Sequence, residues 1–435
     1  MAKLAFDVIV VGAGPAGVAA GVTTARAKLK TLIIEKAKRP GTKNVMGGIL
    51  YPKSIDPVFP GFWKNEKVIE RPIVEENIWL LNGNDAVKFG FRSEEFKSGV
   101  PNAYSVLRVK FDEWAAKEAK TAGAMVLPAT RVDDVIRDGT QIIGVKTDRP
   151  DGDIYAPIVI LAEGANPFIA RRAGLAREYK PHELALTVKE IISLDVRTIE
   201  ERFNLNSGDG CTFEVFGAST GGLLGYAFIY TNKDSLSIGL GALVSDFIEN
   251  KIRPYDMLED FKAHPAIKPL LAGGKVMEYM SHLIPEAGYG ALPTLFSDGV
   301  MIAGDAGMLT NAVHREGSNF AIQSGWMAGQ TAVVAHQKHD FSAQTLSAYR
   351  AKLEKSFIMK DLRKYQGLTP YVMKKRKEFL ELYPGMLTEA AKEMFSVDNV
   401  SKKEKEHKIM KMIRGKRTLP AIVSDLYGFW RAMEG

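Results

Sequence analysis

The chain of 435 residues contains one cysteine, Cys211. That count excludes an internal disulfide and any iron–sulfur cluster held by four thiolates of this chain. No run of 18 apolar residues occurs, so no membrane-spanning helix is expected. The first six residues lead straight into a strand pattern, which leaves no signal peptide to expect. Repeats and low-complexity linkers are absent. The seven histidines are scattered, and no residue stands out as a nucleophile or metal ligand. Chemistry is therefore expected to rest on a cofactor, its positioning and its electrostatic surroundings.

What is present describes an ordinary globular protein, with 46% hydrophobic and 25% charged residues. Its length suits two or three lobes. Low cysteine use fits an intracellular, cytoplasmic chain. The net charge of +7 is unevenly placed, because residues 341–435 hold 20 Lys and Arg against 11 Asp and Glu. Such a tail can face an acidic protein, an anionic membrane surface such as the inner face of the cell membrane, or nucleic acid, or be a solvated set of charged helices. Nucleic acid is not expected as a partner. Leu419, Ile422, Val423, Leu426, Trp430 and Met433 recur at helical spacing behind the basic stretch from Lys402 to Arg417.

The first motif is Asp7-Val8-Ile9-Val10-Val11-Gly12-Ala13-Gly14-Pro15-Ala16-Gly17. A buried strand leads into a glycine turn and a small-residue helix, and Thr31 to Glu35 reads as the next strand. Gly12 permits the turn, Gly14 admits a pyrophosphate against the backbone, and Gly17 lets helix and strand approach. The helix N-terminus faces the phosphates with roughly half a positive charge. Glu35, 23 residues after Gly12, is placed to accept hydrogen bonds from ribose hydroxyls.

A second motif, Gly299-Val300-Met301-Ile302-Ala303-Gly304-Asp305-Ala306, lies almost three hundred residues later. It distinguishes FAD from NAD, since the longer flavin nucleotide needs a second holder at its ribityl end and Asp305 is the candidate. A helix from about Asn319 to Val334 carries small residues for close packing. Its N-terminus near Gly317 and Asn319 can stabilise charge on the pyrimidine edge of a reduced flavin. Between the motifs, strands are expected over Val74 to Phe91 with a turn at Asn82-Gly83-Asn84-Asp85, over Val126 to Val135, and over Ile142 to Thr147. A helix is expected over Phe111 to Ala122, and an antiparallel meander over 211–244. Residues 342–435 read as largely helical.

These motifs, together with Leu107-Arg108-Val109-Lys110-Phe111-Asp112-Glu113-Trp114, resemble glutathione-reductase-type flavoproteins of the hydroxybenzoate hydroxylase branch. Asn44-Val45-Met46-Gly47-Gly48-Ile49-Leu50-Tyr51, Ile229 to Ser235 and Arg315-Glu316-Gly317 narrow the resemblance to the electron-transfer-flavoprotein:quinone oxidoreductase family, in its FixC/EtfC group. The resemblance implies an α/β FAD-binding fold with an inserted antiparallel-sheet domain and a helical C-terminal region. The expected divisions are 1–60, 105–175 and 285–341 for the discontinuous FAD domain, 61–104 and 176–284 for the quinone side, and 342–435 for the basic helices. It implies FAD contacts from Gly12, Gly14, Pro15, Ala16, Gly17, Glu35, Lys36, Gly47, Gly48, Arg108, Val132, Gly304, Asp305, Gly317 and Asn319. Arg108 belongs near the phosphates and Gly47-Gly48 near the isoalloxazine. Glu163 and Gly164 are expected at the cofactor as well, with Glu163 standing where relatives have aspartate and reaching through the turn, and Val313-His314-Arg315-Glu316 is more polar than a flavin neighbour would suggest, with His314 the histidine of interest.

The same resemblance implies a flavin-dependent oxidoreductase that receives electrons from electron-transfer-flavoprotein subunits, with a small ferredoxin-like iron–sulfur subunit alongside. It would pass them to a quinone, menaquinone or ubiquinone, as one arm of an electron-bifurcating complex. Three other readings use the same framework: a geranylgeranyl-reductase-like enzyme acting on lipid double bonds, an aromatic hydroxylase, and a non-catalytic flavin scaffold.

Overall fold

The computed structural model describes residues 5–42, 48–311, 313–314 and 316–435. The chain divides into two compact units. The first comprises residues 1–70, 99–184 and 283–363; the second comprises 71–98, 185–282 and 364–435.

The first unit is built on a sheet in the order Phe296–Ser297, Val300–Ile302, Ile158–Leu161, Val8–Val11, Thr31–Ile34 and Met125–Leu127. All neighbours pair in parallel except the first two, which are antiparallel. Val8 stands opposite both Ile158 and Thr31. The four inner strands are buried along their whole length, which is why they read as unbroken apolar runs. The strand expected over Val126 to Val135 is instead two strands in two sheets. Met125–Leu127 joins the parallel sheet, while Val132–Asp138 pairs with Gln141–Thr147 in a separate antiparallel sheet. Pro128 lacks an N–H and Ala129 has φ +51°, so the chain turns there.

The helix expected from Phe111 begins three residues earlier, spanning Arg108–Thr121. The Pro15–Arg26 and Ser318–Lys338 helices pack closely through small residues. A Cβ on Gly325 would lie 2.0 Å from the Ala16 carbonyl oxygen, and one on Gly329 would lie 2.8 Å from Thr23 Cβ.

The second unit carries a sheet ordered Lys275–Pro285, Leu184–Ser193, Ser235–Leu243, Gly225–Thr231, Gly210–Gly217 and Ile69–Asn82, with Asp85–Arg92 pairing to the last of these. Asn82 pairs with Asp85 across a two-residue turn whose Gly83 has φ +57°, matching the expected hairpin. The meander over 211–244 is present as three antiparallel strands. One sheet face, with Trp79, Val188, Cys211, Phe213, Ile229 and Ile238, forms a core with Ile199, Leu258 and Phe261.

The helical C-terminal stretch is divided between the units rather than standing alone. Its first part supplies Leu346, Tyr349, Leu353, Ile358 and Met359 to the nucleotide-side core. The remainder is fastened in the second unit by buried Asp425, which accepts from Arg417 at 2.6 Å and Tyr383 at 2.6 Å and pairs with Lys375 at 3.0 Å. Among the described residues no helix is long and apolar enough to cross a membrane.

Candidate functional site

The glycine turn closes as its sequence demands. Gly12 has φ +104°, and a Cβ there would lie 2.3 Å from the Ala162 carbonyl oxygen. A Cβ on Gly17 would lie 1.8 Å from the Gly12 carbonyl oxygen. Gly14 differs, because a Cβ there would meet nothing within 4 Å. Its missing side chain answers no protein neighbour and leaves the space in which a pyrophosphate would approach the backbone. Pro15 opens the following helix, where its fixed φ and absent N–H suit the first turn.

Glu35 faces this turn. One carboxylate oxygen accepts from the Ala13 N–H at 2.9 Å and the other from the Ala37 N–H at 2.7 Å. Each oxygen keeps a second lone pair for a ribose hydroxyl. Lys36 beside it is exposed. The Thr130 N–H donates to the Glu35 carbonyl, so the segment leading to Val132 runs past the same edge.

The second motif meets the first at atomic contact. Gly304 has φ +67°, and a Cβ on it would lie 2.9 Å from Ala16 Cβ. Its N–H donates to Ser324 Oγ at 3.0 Å. Asp305 follows and accepts from the Thr310 hydroxyl at 3.1 Å. Burial pushes its carboxyl above the ordinary range, with Thr310 and the Arg108 charge pulling the other way. Residues almost three hundred positions apart thus share one wall.

Arg108, 4% exposed, sits in the first turn of its helix and forms a two-pronged pair with Asp112, both contacts at 2.9 Å. Its third contact is Ser318 Oγ at 3.3 Å, at the start of the Ser318–Lys338 helix. The guanidinium therefore joins two helix N-termini and lends positive charge to Asp305. The pairing of Arg108 with Asp112 was missed from sequence, as was its bond to Ser318, a residue placed there only at the helix N-terminus. The i,i+4 spacing of Arg108 and Asp112 is the signal that the earlier helix start would have supplied.

Glu163 is engaged by protein. Its oxygens accept from the Ile169 and Ala170 N–H groups at 2.7 and 2.9 Å, capping the Phe168–Arg172 helix. Burial raises its pKa against those two bonds and the charges of Lys36 and Arg171. Gly164 beside it has φ +81°. A longer side chain than aspartate reaches that cap, which accounts for glutamate here without a ligand. Gly48 packs on the Val106 carbonyl, where a Cβ would lie 1.8 Å from the oxygen. Gly47 lies outside the described residues, as do Asn44, Val45, Met46 and Arg315.

Gly317 precedes the Ser318–Lys338 helix, and Asn319 is 1% exposed in its first turn. The Asn319 Nδ2 donates to Glu316 at 3.2 Å, while its Oδ1 is buried with no partner among the described residues. An unanswered buried acceptor at a helix N-terminus, the free space at Gly14 and the glycine contacts around Ala16 together fit a bound dinucleotide. Cys211 is buried, and burial raises its thiol pKa far above the ordinary value. Among the described residues no cluster of His, Cys, Asp and Glu could hold a metal ion.

Comparison with known proteins agrees with this geometry. The FAD-dependent oxidoreductase family matches residues 7–182, and the ETF-QO/FixC family C-terminal domain matches 369–434. The chain is 43% identical to protein FixC of Azotobacter vinelandii over 430 residues, covering 99% of each chain. It is 38% identical to the probable electron transfer flavoprotein-quinone oxidoreductase YdiS of Escherichia coli K12, covering 94% of each. Among solved structures, a geranylgeranyl bacteriochlorophyll reductase-like protein from Thermoplasma acidophilum shares the fold, with TM-score 0.75 and 22% identity over 98% of this chain and 99% of that one.

Proposed function

Because the chain belongs to the ETF-QO/FixC family of FAD-dependent oxidoreductases, we propose that it carries electrons from electron-transfer-flavoprotein subunits to a quinone. The observation that carries this reading is the near full-length match to FixC proteins, joined to a sequence with a single, buried cysteine. Such a chain holds no four-thiolate cluster of its own. Electrons reach it through partner proteins, among them a small ferredoxin-like iron–sulfur subunit. Within that assembly the chain is the quinone arm of a bifurcating complex that divides the electrons of NADH between quinone and a low-potential ferredoxin or flavodoxin.

Bound FAD supplies the redox chemistry. The protein's part is positional. The Gly12–Gly17 turn and its helix N-terminus hold the pyrophosphate, Glu35 holds the ribose, and Asp305 holds the ribityl end. Arg108 offsets the buried Asp305 charge, and the Ser318–Lys338 helix directs its N-terminal dipole at the far end of the site. Menaquinone and ubiquinone are lipid-soluble, so the chain works at the inner face of the membrane. Exposed Leu419, Val423, Leu426, Tyr427 and Trp430 beside the basic Lys402–Lys416 helix support that contact.

The test is reconstitution of FAD-loaded protein with its flavoprotein partner subunits, followed by stopped-flow reduction of a short-chain menaquinone and ubiquinone analogue. Quinone-dependent reoxidation of the flavin is expected. Failure with every quinone, alongside reduction of a prenyl double bond, would move the chain to the geranylgeranyl-reductase reading.

A further inference from the structure

Around the start of the Ser318–Lys338 helix, one side chain holds two amides at once. Glu316 accepts from Asn319 Nδ2 through one oxygen and from Asn311 Nδ2 through the other, both at 3.2 Å. The two strands of this loop are also tied by main chain, with Asn311 and Glu316 exchanging N–H···O bonds at 3.1 and 3.3 Å. Asn311 Oδ1 in turn accepts from the Val313 N–H at 3.1 Å. His314, the histidine that sequence brings to notice, is exposed. Glu316, which joins the two amides, is half-buried.

A carboxylate settles which way each amide faces. An asparagine offers an acceptor at one end and two donors at the other, and only the donor end can meet a carboxylate oxygen. Asn319 Nδ2 is thereby committed to Glu316 and its Oδ1 is turned from it. That oxygen is buried and has no hydrogen-bond partner among the described residues, although Asn319 is only 1% exposed. A native structure rarely leaves such a group unanswered. The neighbouring Ser318 bonds to Arg108, whose charge acts on Asp305, so the acceptor lies beside the residues of the nucleotide site.

The chemistry of the missing partner follows. The helix N-terminus presents N–H donors, and Asn319 adds one acceptor among them. A phosphate or carboxylate has no hydrogen to give that acceptor. An imide edge has carbonyl and N–H side by side and answers both. We propose that Glu316 is a positioning residue that fixes the Asn319 carboxamide, so that Oδ1 accepts the imide N–H of the flavin pyrimidine edge. This rests on FAD as the cofactor.

The test is binding of FAD and of 3-methyl-FAD, which lacks the imide hydrogen, to protein stripped of flavin and titrated by flavin fluorescence. The natural chain is expected to prefer FAD about tenfold, the equivalent of about 1.4 kcal/mol. Asn319→Leu abolishes the preference. Glu316→Gln leaves one amide free to turn over and lowers the preference to about threefold or less. Equal binding of both nucleotides by the natural chain, or a full preference in Asn319→Leu, overturns the contact. A full preference in Glu316→Gln overturns the positioning role. Thermal unfolding of each stripped variant shows whether it folds. A natural chain that binds neither nucleotide refutes FAD itself, which is a different failure.

Discussion

In the nucleotide-binding unit, the strands Val8–Val11, Thr31–Ile34, Ile158–Leu161 and Val300–Ile302 are buried on both faces. The helices against them approach so closely that Gly17 and Gly325 cannot gain a carbon without striking a carbonyl oxygen. The second unit buries one sheet face in its core and leaves Ile78, Phe89 and Phe91 between 46 and 60% exposed. Ile78 and Phe89 are cross-strand partners, and the Phe91 ring lies 5.6 Å from Phe96. The first arrangement forms a site through backbone proximity, where each atom is constrained. The second has close glycine contacts of its own, with a Cβ on Gly225 1.9 Å from the Gly241 carbonyl oxygen, but leaves an apolar strand face half exposed.

The sharpest way to break the comparison lies inside one motif. Gly17→Ala places a methyl 1.8 Å from the Gly12 oxygen and should cost about 3 kcal/mol or more, lowering the unfolding temperature and emptying the protein of FAD. Gly14→Ala meets no protein atom. Its stripped form should unfold within about 0.5 kcal/mol of the natural chain, while FAD affinity falls tenfold or more, about 1.4 kcal/mol. Equal stability losses in the two variants would show that the turn's tightness is not the source of its glycine requirement.

A smaller effect separates the units by pH. In the first, burial pushes the Glu286 carboxyl up to about 8. The folded state then binds a proton that the unfolded chain has lost, so this residue's contribution to stability falls as pH rises from the ordinary glutamate range to about 8 and levels off above it. In the second, burial would raise Asp425, but Tyr383, Lys375 and Arg417 outweigh it and hold its pKa below the ordinary value. Its contribution is present at neutral pH and lost as pH falls through that depressed pKa. Glu286→Gln should therefore raise the unfolding temperature more at pH 9 than at pH 5. Asp425→Asn should cost about 2 kcal/mol at pH 7 and less as acid removes the same bonds from the natural chain. Differential scanning calorimetry across pH reads both, and parallel pH responses would erase the distinction.

The smallest expected change is at the exposed edge. Phe89→Ser and Phe91→Ser should each alter stability by no more than about 0.5 kcal/mol, measured by urea unfolding. A loss above 2 kcal/mol would mean that these rings belong to a core.

Much of the nucleotide site was legible because its determinants are local. Gly12, Gly14, Gly17 and Glu35 fall within one strand–turn–helix–strand segment, and the tight turn restricts which residues it accepts. Gly304 and Asp305 were legible as a motif, but their contact with Ala16 is not encoded nearby. The Val126 to Val135 reading failed because two short apolar runs in different sheets look like one, with Pro128 the overlooked break. Arg108 was singled out while its pairing with Asp112 was not, since the helix was begun at Phe111. Glu163 gave no hint that it caps a helix, because the donors it accepts from are backbone N–H groups with no sequence signature. Glu286 offered none either, since its burial is a property of the fold.

By itself the sequence determined that a dinucleotide site opens the chain and that no four-thiolate cluster belongs to it. Glycine sterics act over a few residues, and a thiolate cluster requires thiols that a sequence either contains or lacks. Only the tertiary structure decided that Gly304 closes on Ala16, that Glu163 is occupied, and that Glu316 accepts from both Asn311 and Asn319. Those outcomes depend on which backbone groups long-range packing brings together and which polar atoms it leaves unanswered.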